Sequence, residues 1–508
     1  MLYYFFFIFT FLFLLFFHLI SKLKSVNPQK LPPRPLSLPI IGHFHLLKKP
    51  LHRTLQNLSQ KYGPILSLSF GSRPVIVISS LAAAQECFTK NDIVFANRPR
   101  LLFGKHLAFN YTAVGFAPYG DHWRNLRRIT MTELLSTHRL NMFENILKEE
   151  FRLWLKNLYE VTRQGFVKVE MKSKLNELSF NIIMRMVSGK RNFGVEVEEI
   201  EAAREFRDII KEVLHVSGSS NPGDFIPILR LFDYQGLEKR TLKVRERVDV
   251  LFQSIINRYR KKRASSSGQN EAAGTSMIDS FLTLQESDPQ YYSDDIIKGQ
   301  VLSMVVAGTD TTAIIIEWAM SLLLNHPSVM KKAWIEINEC VGPNQVVEEA
   351  DLSKLPYLQA IINESFRLFP VAPLLLPHES SEDCTIDGFY IPKGTMLLVN
   401  VWAINRDPKL WKDPTSFKPE RFRELKEVYA NKLIPFGMGR RACPGAALAY
   451  KIVGMTLAAL IQCFEWERVG EDEIDMLEGN GFTMPKVKAL EAMSKPRSGM
   501  INVLSHLV

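Results

Sequence analysis

The sequence predicts a mainly α protein with minor β structure, preceded by one N-terminal transmembrane helix. An unbroken apolar run fills residues 2–20, and beyond it apolar residues recur at three- and four-residue intervals. Only a few short apolar runs bounded by glycine and proline read as strands. With 508 residues, 46% hydrophobic and 23% charged, the chain can bury a large core, and disorder, collagen and small disulfide scaffolds are excluded.

Residues 2–20 are apolar or aromatic apart from Thr10 and His18. As a helix they rise about 28 Å, close to the ~30 Å hydrocarbon thickness of a bilayer. A cleaved signal peptide would carry a basic start, a shorter apolar stretch and a small-residue cleavage site, none of which is present. Lys22, Lys24, Lys30 and Arg34 follow the run, so the positive-inside rule leaves the body cytosolic. Pro32, Pro33, Pro35 and Pro39 then stiffen the chain into a spacer. The expected organisation is an anchor at 1–21, a basic, proline-rich hinge at 22–50 and a cytosolic domain at 51–508.

In the body, residues 65–70 and 75–79 read as a hairpin, and helical periodicity marks 142–158, 175–187, 242–259 and 296–324. Residues 264–274 read as a polar surface loop, and strand-like pieces return at 385–391 and 396–399. Lys and Arg number 63 against 53 Asp and Glu, a net charge of +10 spread along the chain. That suits an acidic partner or an anionic membrane; no zinc-finger spacing or aromatic-rich RNA-binding motif points to nucleic acid. The five cysteines, Cys87, Cys340, Cys384, Cys443 and Cys463, include no C-x-x-C pair and read as reduced, cytosol-facing thiols.

The sharpest local feature is residues 436–445, Phe-Gly-Met-Gly-Arg-Arg-Ala-Cys-Pro-Gly, followed by the apolar run 446–460. A lone cysteine is usually a small buried hydrophobe. Here Pro444 suits a first helical turn and places Cys443 at a helix start, where the dipole favours the metal-ligating thiolate. Residues 437–442 also fit the G-x-G-x-x-A dinucleotide pattern with Glu465 or Glu467 downstream. That pattern needs a preceding strand and a continuous helix, which Pro435 and Pro444 oppose.

This loop resembles the haem-binding loop of the cytochrome P-450 family, F-x-x-G-x-R-x-C-x-G, with Phe436, Gly439, Arg441, Cys443 and Gly445 filling every fixed place. The resemblance implies the cytochrome P-450 fold, a helical haem-thiolate domain with small β-sheets. It implies that Cys443 is the proximal ligand of the iron of haem b (iron protoporphyrin IX) and that Arg441 pairs a haem propionate. Such a ligand favours O–O cleavage.

Three further motifs occur in the family's order. Glu364 and Arg367 stand at i, i+3 in apolar surroundings and, with Arg421, suggest a partly buried Glu–Arg–Arg cluster that is structural in role. Residues 307–312, Ala-Gly-Thr-Asp-Thr-Thr, interrupt a long apolar helix, where threonines bonding back to carbonyls would bend it. They match the family's oxygen-activation motif, which implies that Asp310 and Thr311 relay protons to dioxygen at the haem. Trp123 and Arg127 share one helical face, and the resemblance places both, with His378, at the propionates.

The resemblance runs from the anchor to about Arg497 and fits the plant microsomal type. Residues 181–186, 375–378 and 481–484 are similar to the branch that includes isoflavone 2′- and 3′-hydroxylases. The chain departs from it with Asn192-Phe193 in place of two tyrosines, with Arg34 in place of a hinge glycine, and with Ala446-Ala447 after the cysteine loop. By the same resemblance the pocket draws on residues 101–116, the helix before Ala307, residues 371–376 and Phe482. Such apolar walls suit a flat, lipophilic ring system.

The activity implied is an NADPH- and dioxygen-dependent monooxygenase at the endoplasmic reticulum membrane, with electrons passed from NADPH by NADPH-cytochrome P-450 reductase. The substrate implied is a lipophilic aromatic plant metabolite, an isoflavone or flavonoid, with another phenylpropanoid, a lignan or a xenobiotic as the alternative. A membrane-tethered nicotinamide dehydrogenase and a noncatalytic haem-carrying scaffold are the remaining rivals.

Overall fold

The structure, a computed structural model, describes residues 2–23, 30–191, 200–217, 221–265, 276–424 and 431–507. Lys24, the Asn192-Phe193 departure with Gly194, and the expected surface loop from residue 266 onward lie outside the described residues.

Helix α1 is Leu2–Leu23, and its described large side chains, from Tyr3 to Leu15, are exposed. Residues from 30 onward already lie against the body: the Ser67 amide donates to the Pro33 carbonyl at 2.9 Å, and His43 is fully buried against Pro35. Helix α2, Leu51–Tyr62, leads into the hairpin of β1, Ile65–Phe70, and β2, Arg73–Ile78. The hairpin is the expected one, but its turn is only two residues, because Arg73 and Pro74 pair with Phe70 and Ser69. Proline is tolerated there as an early strand residue.

Helix α3, Asp121–Ile129, precedes α4, Glu144–Thr162, and β3, Val167–Glu170, runs directly into α5, Met171–Ser188. The Glu170 carboxylate caps α5 by accepting from the amides of Lys172 and Ser173, each at 3.0 Å. Helix α6, Leu237–Ser265, crosses beside α7, Asp294–Asn325, the central helix of the molecule. Asp294 and Asp295 place negative charge in the first turn of α7, and Pro327 opens the following helix beyond its end. Gly308 brings α7 close to α5, since a Cβ there would stand 2.6 Å from Ile183 Cδ1.

Helix α8, Pro356–Leu368, and helix α9, Ala446–Cys463, pack on the far side of α7. By length and composition α7 and α9 could each cross a membrane, yet most of each is buried inside the body, so both are core helices. Strands β4, His378–Glu379, and β7, Met396–Val399, complete a four-stranded sheet in the order β1-β2-β7-β4, with β2 and β7 parallel. Between them β5, Cys384–Ile386, and β6, Phe389–Ile391, form a hairpin from what the sequence suggested as one strand. After α9, strands β8, Phe464–Arg468, and β9, Glu491–Pro496, join β3 in an antiparallel sheet.

A buried carboxylate ties the two ends of the body together. Glu478 accepts from His52 Nε2 at 2.8 Å and Arg53 Nε at 2.7 Å on α2, and from Trp402 Nε1 at 2.7 Å. Burial alone would raise its pKa; the hydrogen bonds from His52 and Arg53 outweigh that and hold it at about 2.

Candidate active site

The loop before α9 is fixed by its own backbone. The Cys443 amide donates to the Phe436 carbonyl at 2.9 Å and the Ala442 amide to Gly439 at 3.0 Å, closing a tight turn. Gly439 sits at φ +67°, and a Cβ there would approach the Phe88 carbonyl oxygen to 2.9 Å, so only glycine fits. Asp92 then takes Arg440 Nε at 2.7 Å and its amide at 3.2 Å. The Phe436 ring packs against Phe366 at 5.1 Å and Tyr450 at 5.3 Å, joining the loop to α8 and α9. No strand runs directly into the loop among the described residues, the last before it ending at Val399, and its centre, Gly439–Arg441, is a single 3-10 turn rather than an α-helix. The dinucleotide-binding pattern is therefore a chance match.

Two expectations about Cys443 change. Helix α9 begins at Ala446 with Gly445 as its cap, so Cys443 and Pro444 precede the helix instead of opening it. The thiol's pKa is raised, not lowered: crowding by protein outweighs the hydrogen bond at Gly445 and the nearby Arg127 guanidinium. The residue is nonetheless exposed, whereas Cys87 and Cys463 are buried and Cys340 and Cys384 half-buried. All five cysteines are free.

Cations gather near this loop. Arg441 donates through Nε to the Ala96 carbonyl at 2.6 Å and through its terminal nitrogens to Ala117 at 2.7 Å and Val114 at 3.3 Å. Its guanidinium lies 4.3 Å from the centre of the buried Trp123 ring on α3. Arg98 donates to the carbonyls of Gly115, Leu376 and Pro377. Burial, with the like charges of Arg98 and Arg127, lowers the Arg441 pKa to about 8, and burial lowers Arg98 to about 9. Arg127 is lowered by burial while the Cys443 sulfur partly restores it.

His378 on β4 is buried and bonded through Nδ1 to the Phe95 carbonyl at 2.6 Å. Burial, then the Arg98 charge, holds it well below the usual imidazole range. Among the described residues no carboxylate is paired with Arg98, Arg127 or Arg441. The sequence pointed to Trp123, Arg127, His378 and Arg441, and missed Arg98, a single arginine with no pattern around it.

Away from its two ends, α7 is buried except in its middle, where Ser303, Met304, Val306, Gly308, Asp310 and Thr311 are half-buried and Ala307 is exposed. Thr309, Thr311 and Thr312 donate back to the carbonyls of Val305, Ala307 and Gly308 at 2.7, 2.5 and 3.0 Å, as their residue types suggested. Asp310 bonds elsewhere: its Oδ2 accepts from Thr483 Oγ1 at 3.0 Å. Burial raises the Asp310 pKa, while Thr483 and the Lys172 charge lower it.

The Glu–Arg–Arg cluster closes completely. Glu364 accepts from Arg367 Nε at 2.7 Å and Nη2 at 2.8 Å and from Arg421 Nε at 3.1 Å, with all three residues buried. Arg367 also holds the carbonyls of Asn405 and Pro414, bracing the segment before the cysteine loop.

An exposed free cysteine, buried and half-buried arginines lacking carboxylate partners among the described residues, and a threonine-rich stretch in an apolar helix suit a planar iron cofactor carrying carboxylates. The residues present fit haem, and the class defined is that of haem-thiolate oxygenases. The chain belongs to the cytochrome P450 family, whose model, described as Cytochrome P450, matches residues 32–491. It is 53% identical to the isoflavone 3′-hydroxylase of Medicago truncatula, covering 94% of this chain and 95% of that one. It is 52% identical to the (+)-piperitol/(+)-sesamin synthase of Sesamum radiatum, over 94% and 92% of the two chains. To the isoflavone 2′-hydroxylase of Glycyrrhiza echinata it is 49% identical, over 95% of each. The protein is thus a cytochrome P450 monooxygenase that uses haem b, dioxygen and electrons from NADPH delivered through a reductase, and acts on a lipophilic substrate.

Proposed function

We propose that this enzyme hydroxylates an isoflavone or related flavonoid at the 2′ or 3′ position, consuming dioxygen and NADPH and releasing water. Its body would face the cytosol, held by α1 as a single-pass anchor in the endoplasmic reticulum membrane, with NADPH-cytochrome P-450 reductase as its electron donor. The division at residues 21 and 50 belongs to the same reading. The observation that carries the chemistry is the exposed free residue Cys443 in a loop with Arg441 and near Arg127, where Arg127, Arg441 and the buried Arg98 have no carboxylate partner among the described residues. The names of the relatives support the substrate class.

In this reading Cys443 ligates the iron, and bound haem supplies the oxidising chemistry, including O–O cleavage favoured by the thiolate. A coordinating metal deprotonates a thiol outright, which overcomes the raised pKa. Arg98, Arg127 and Arg441 offer charge-assisted hydrogen bonds to the propionates, and Trp123 holds the Arg441 guanidinium flat. His378 keeps its Nδ1 proton on the Phe95 carbonyl, so the neutral ring presents a lone pair at Nε2 and becomes a donor there only when protonated. Phe436 fixes the loop from behind. Asp310 would take protons from water and Thr311 would hand them on to the dioxygen substrate, while the apolar walls would orient the ring.

The test uses full-length protein with its reductase. Wild type should give the carbon monoxide difference spectrum of a thiolate-ligated reduced haem and hydroxylate isoflavones; Cys443→Ala should lose both. Turnover of lignans alone would move the substrate assignment to the piperitol/sesamin side, and identical spectra for the two proteins would overturn the ligand assignment.

A further inference from the structure

We propose that Thr483 is a positioning residue for proton delivery: its hydroxyl holds the Asp310 carboxylate, so the turn at residues 479–485 governs when that acid can supply a proton. The inference rests on the reading of Asp310 as the proton-delivering acid and adds the group that controls it.

The geometry is a clamp around one residue. The turn closes on itself where the Gly479 amide donates to the Pro485 carbonyl at 2.7 Å and the Val487 amide to Leu477 at 3.0 Å. Met484 is held on both sides of its backbone. Its amide donates to the Val371 carbonyl at 2.9 Å, and its carbonyl accepts from Trp318 Nε1 on α7 at 2.8 Å. Trp318 is itself fully buried and stacked on Phe369, with ring centres 3.9 Å apart, so this anchor is rigid.

Thr483, adjacent to that fixed point, delivers its hydroxyl to Asp310 Oδ2 at 3.0 Å. Hydrogen bonds to a carboxylate favour its charged form and fix its direction. The Lys172 charge on α5 lowers the Asp310 pKa and also that of Glu317, seven residues further along α7.

Two features make the contact a control point. Residues 371–376 and Phe482 belong to the pocket walls in the proposed function, and Phe482 is partly exposed on the same turn. A ring pressed against Phe482 or the 371–376 segment bears on Met484 and hence on Thr483. Substrate occupancy therefore reaches the acid through one hydrogen bond. Since Asp310 is bonded to Thr483 and Thr311 to the Ala307 carbonyl, the two side chains are held independently until the turn shifts.

The experiment compares Thr483→Val, Thr483→Ser and Asp310→Asn in the holoenzyme with reductase. It measures product per NADPH across pH, together with the protonation midpoint of the Asp310 carboxyl by infrared difference titration. Thr483→Val should lose about two- to tenfold in product per NADPH, the scale of one hydrogen bond. It should also raise the carboxyl midpoint, while Thr483→Ser restores both and all variants keep the reduced carbon monoxide spectrum. A Thr483→Val profile and midpoint superimposable on wild type, with Asp310→Asn impaired, would overturn the role of Thr483 alone. If Asp310→Asn itself matched wild type, the role of the acid would fall, and that of Thr483 with it.

Discussion

At Glu364 a single carboxylate neutralises two buried guanidinium groups, Arg367 at 2.7 Å and Arg421 at 3.1 Å, inside an apolar region. Glu364→Gln keeps the shape but leaves both cations without a counter-charge. Breaking a buried pair in this way costs about 3–5 kcal/mol, so the variant should unfold at markedly lower denaturant concentration and yield little haem-loaded protein. Arg98, buried, and Arg127 and Arg441, half-buried, stand in the opposite situation, without a carboxylate partner among the described residues. The difference separates arginines that hold the fold from those set aside for a ligand, and sequence type alone does not make it. Cys443, Glu364 and the 307–312 motif were legible because each is defined by neighbours in the chain. Arg98 and Thr483 were not, because their meaning comes from partners more than a hundred residues away.

Among the elements, α7 shows how one helix can be both core and active-site wall. Away from its two ends, its burial is broken only between Ser303 and Thr311, and the threonine-rich motif read from the sequence locates that stretch without showing what lies against it. Pro444 suits a first helical turn, yet α9 starts only at Ala446, after the tight turn at Gly439. Helix α1 has a different character: its described large apolar side chains are exposed along its length, a surface suited to lipid. Deleting residues 2–21 should release the protein from carbonate-washed membranes while leaving the reduced carbon monoxide spectrum unchanged. Retention of the whole population on the membrane would show that other surfaces suffice.

Across the whole molecule, the Glu478 contact joins α2 to the C-terminal segment. Its folded pKa of about 2 lies below the ordinary 4.5, a depression worth about 3 kcal/mol at ~1.36 kcal/mol per unit. The sign follows: this stabilisation is complete above about pH 4.5 and is lost as pH falls toward 2. Glu478→Gln should therefore destabilise the enzyme at neutral pH and flatten the acid limb of its stability profile, measured as unfolding rate against pH. This tie was invisible in the sequence, since His52 and Glu478 are 426 positions apart and neither lies in a motif. The fold class was legible because periodicity is local; the closure of the domain was not, because it depends on pairings between distant segments.

The parallel pairing of β2 with β7 sets a timetable for synthesis. Val75 waits for Met396, about 320 residues later, which at ~5–20 residues per second is roughly 16 to 64 s of translation. During that interval the β1–β2 hairpin has a bare edge and no partner, and a lone hairpin is marginal in water. The first four-stranded sheet can therefore close only after most of the chain has been made.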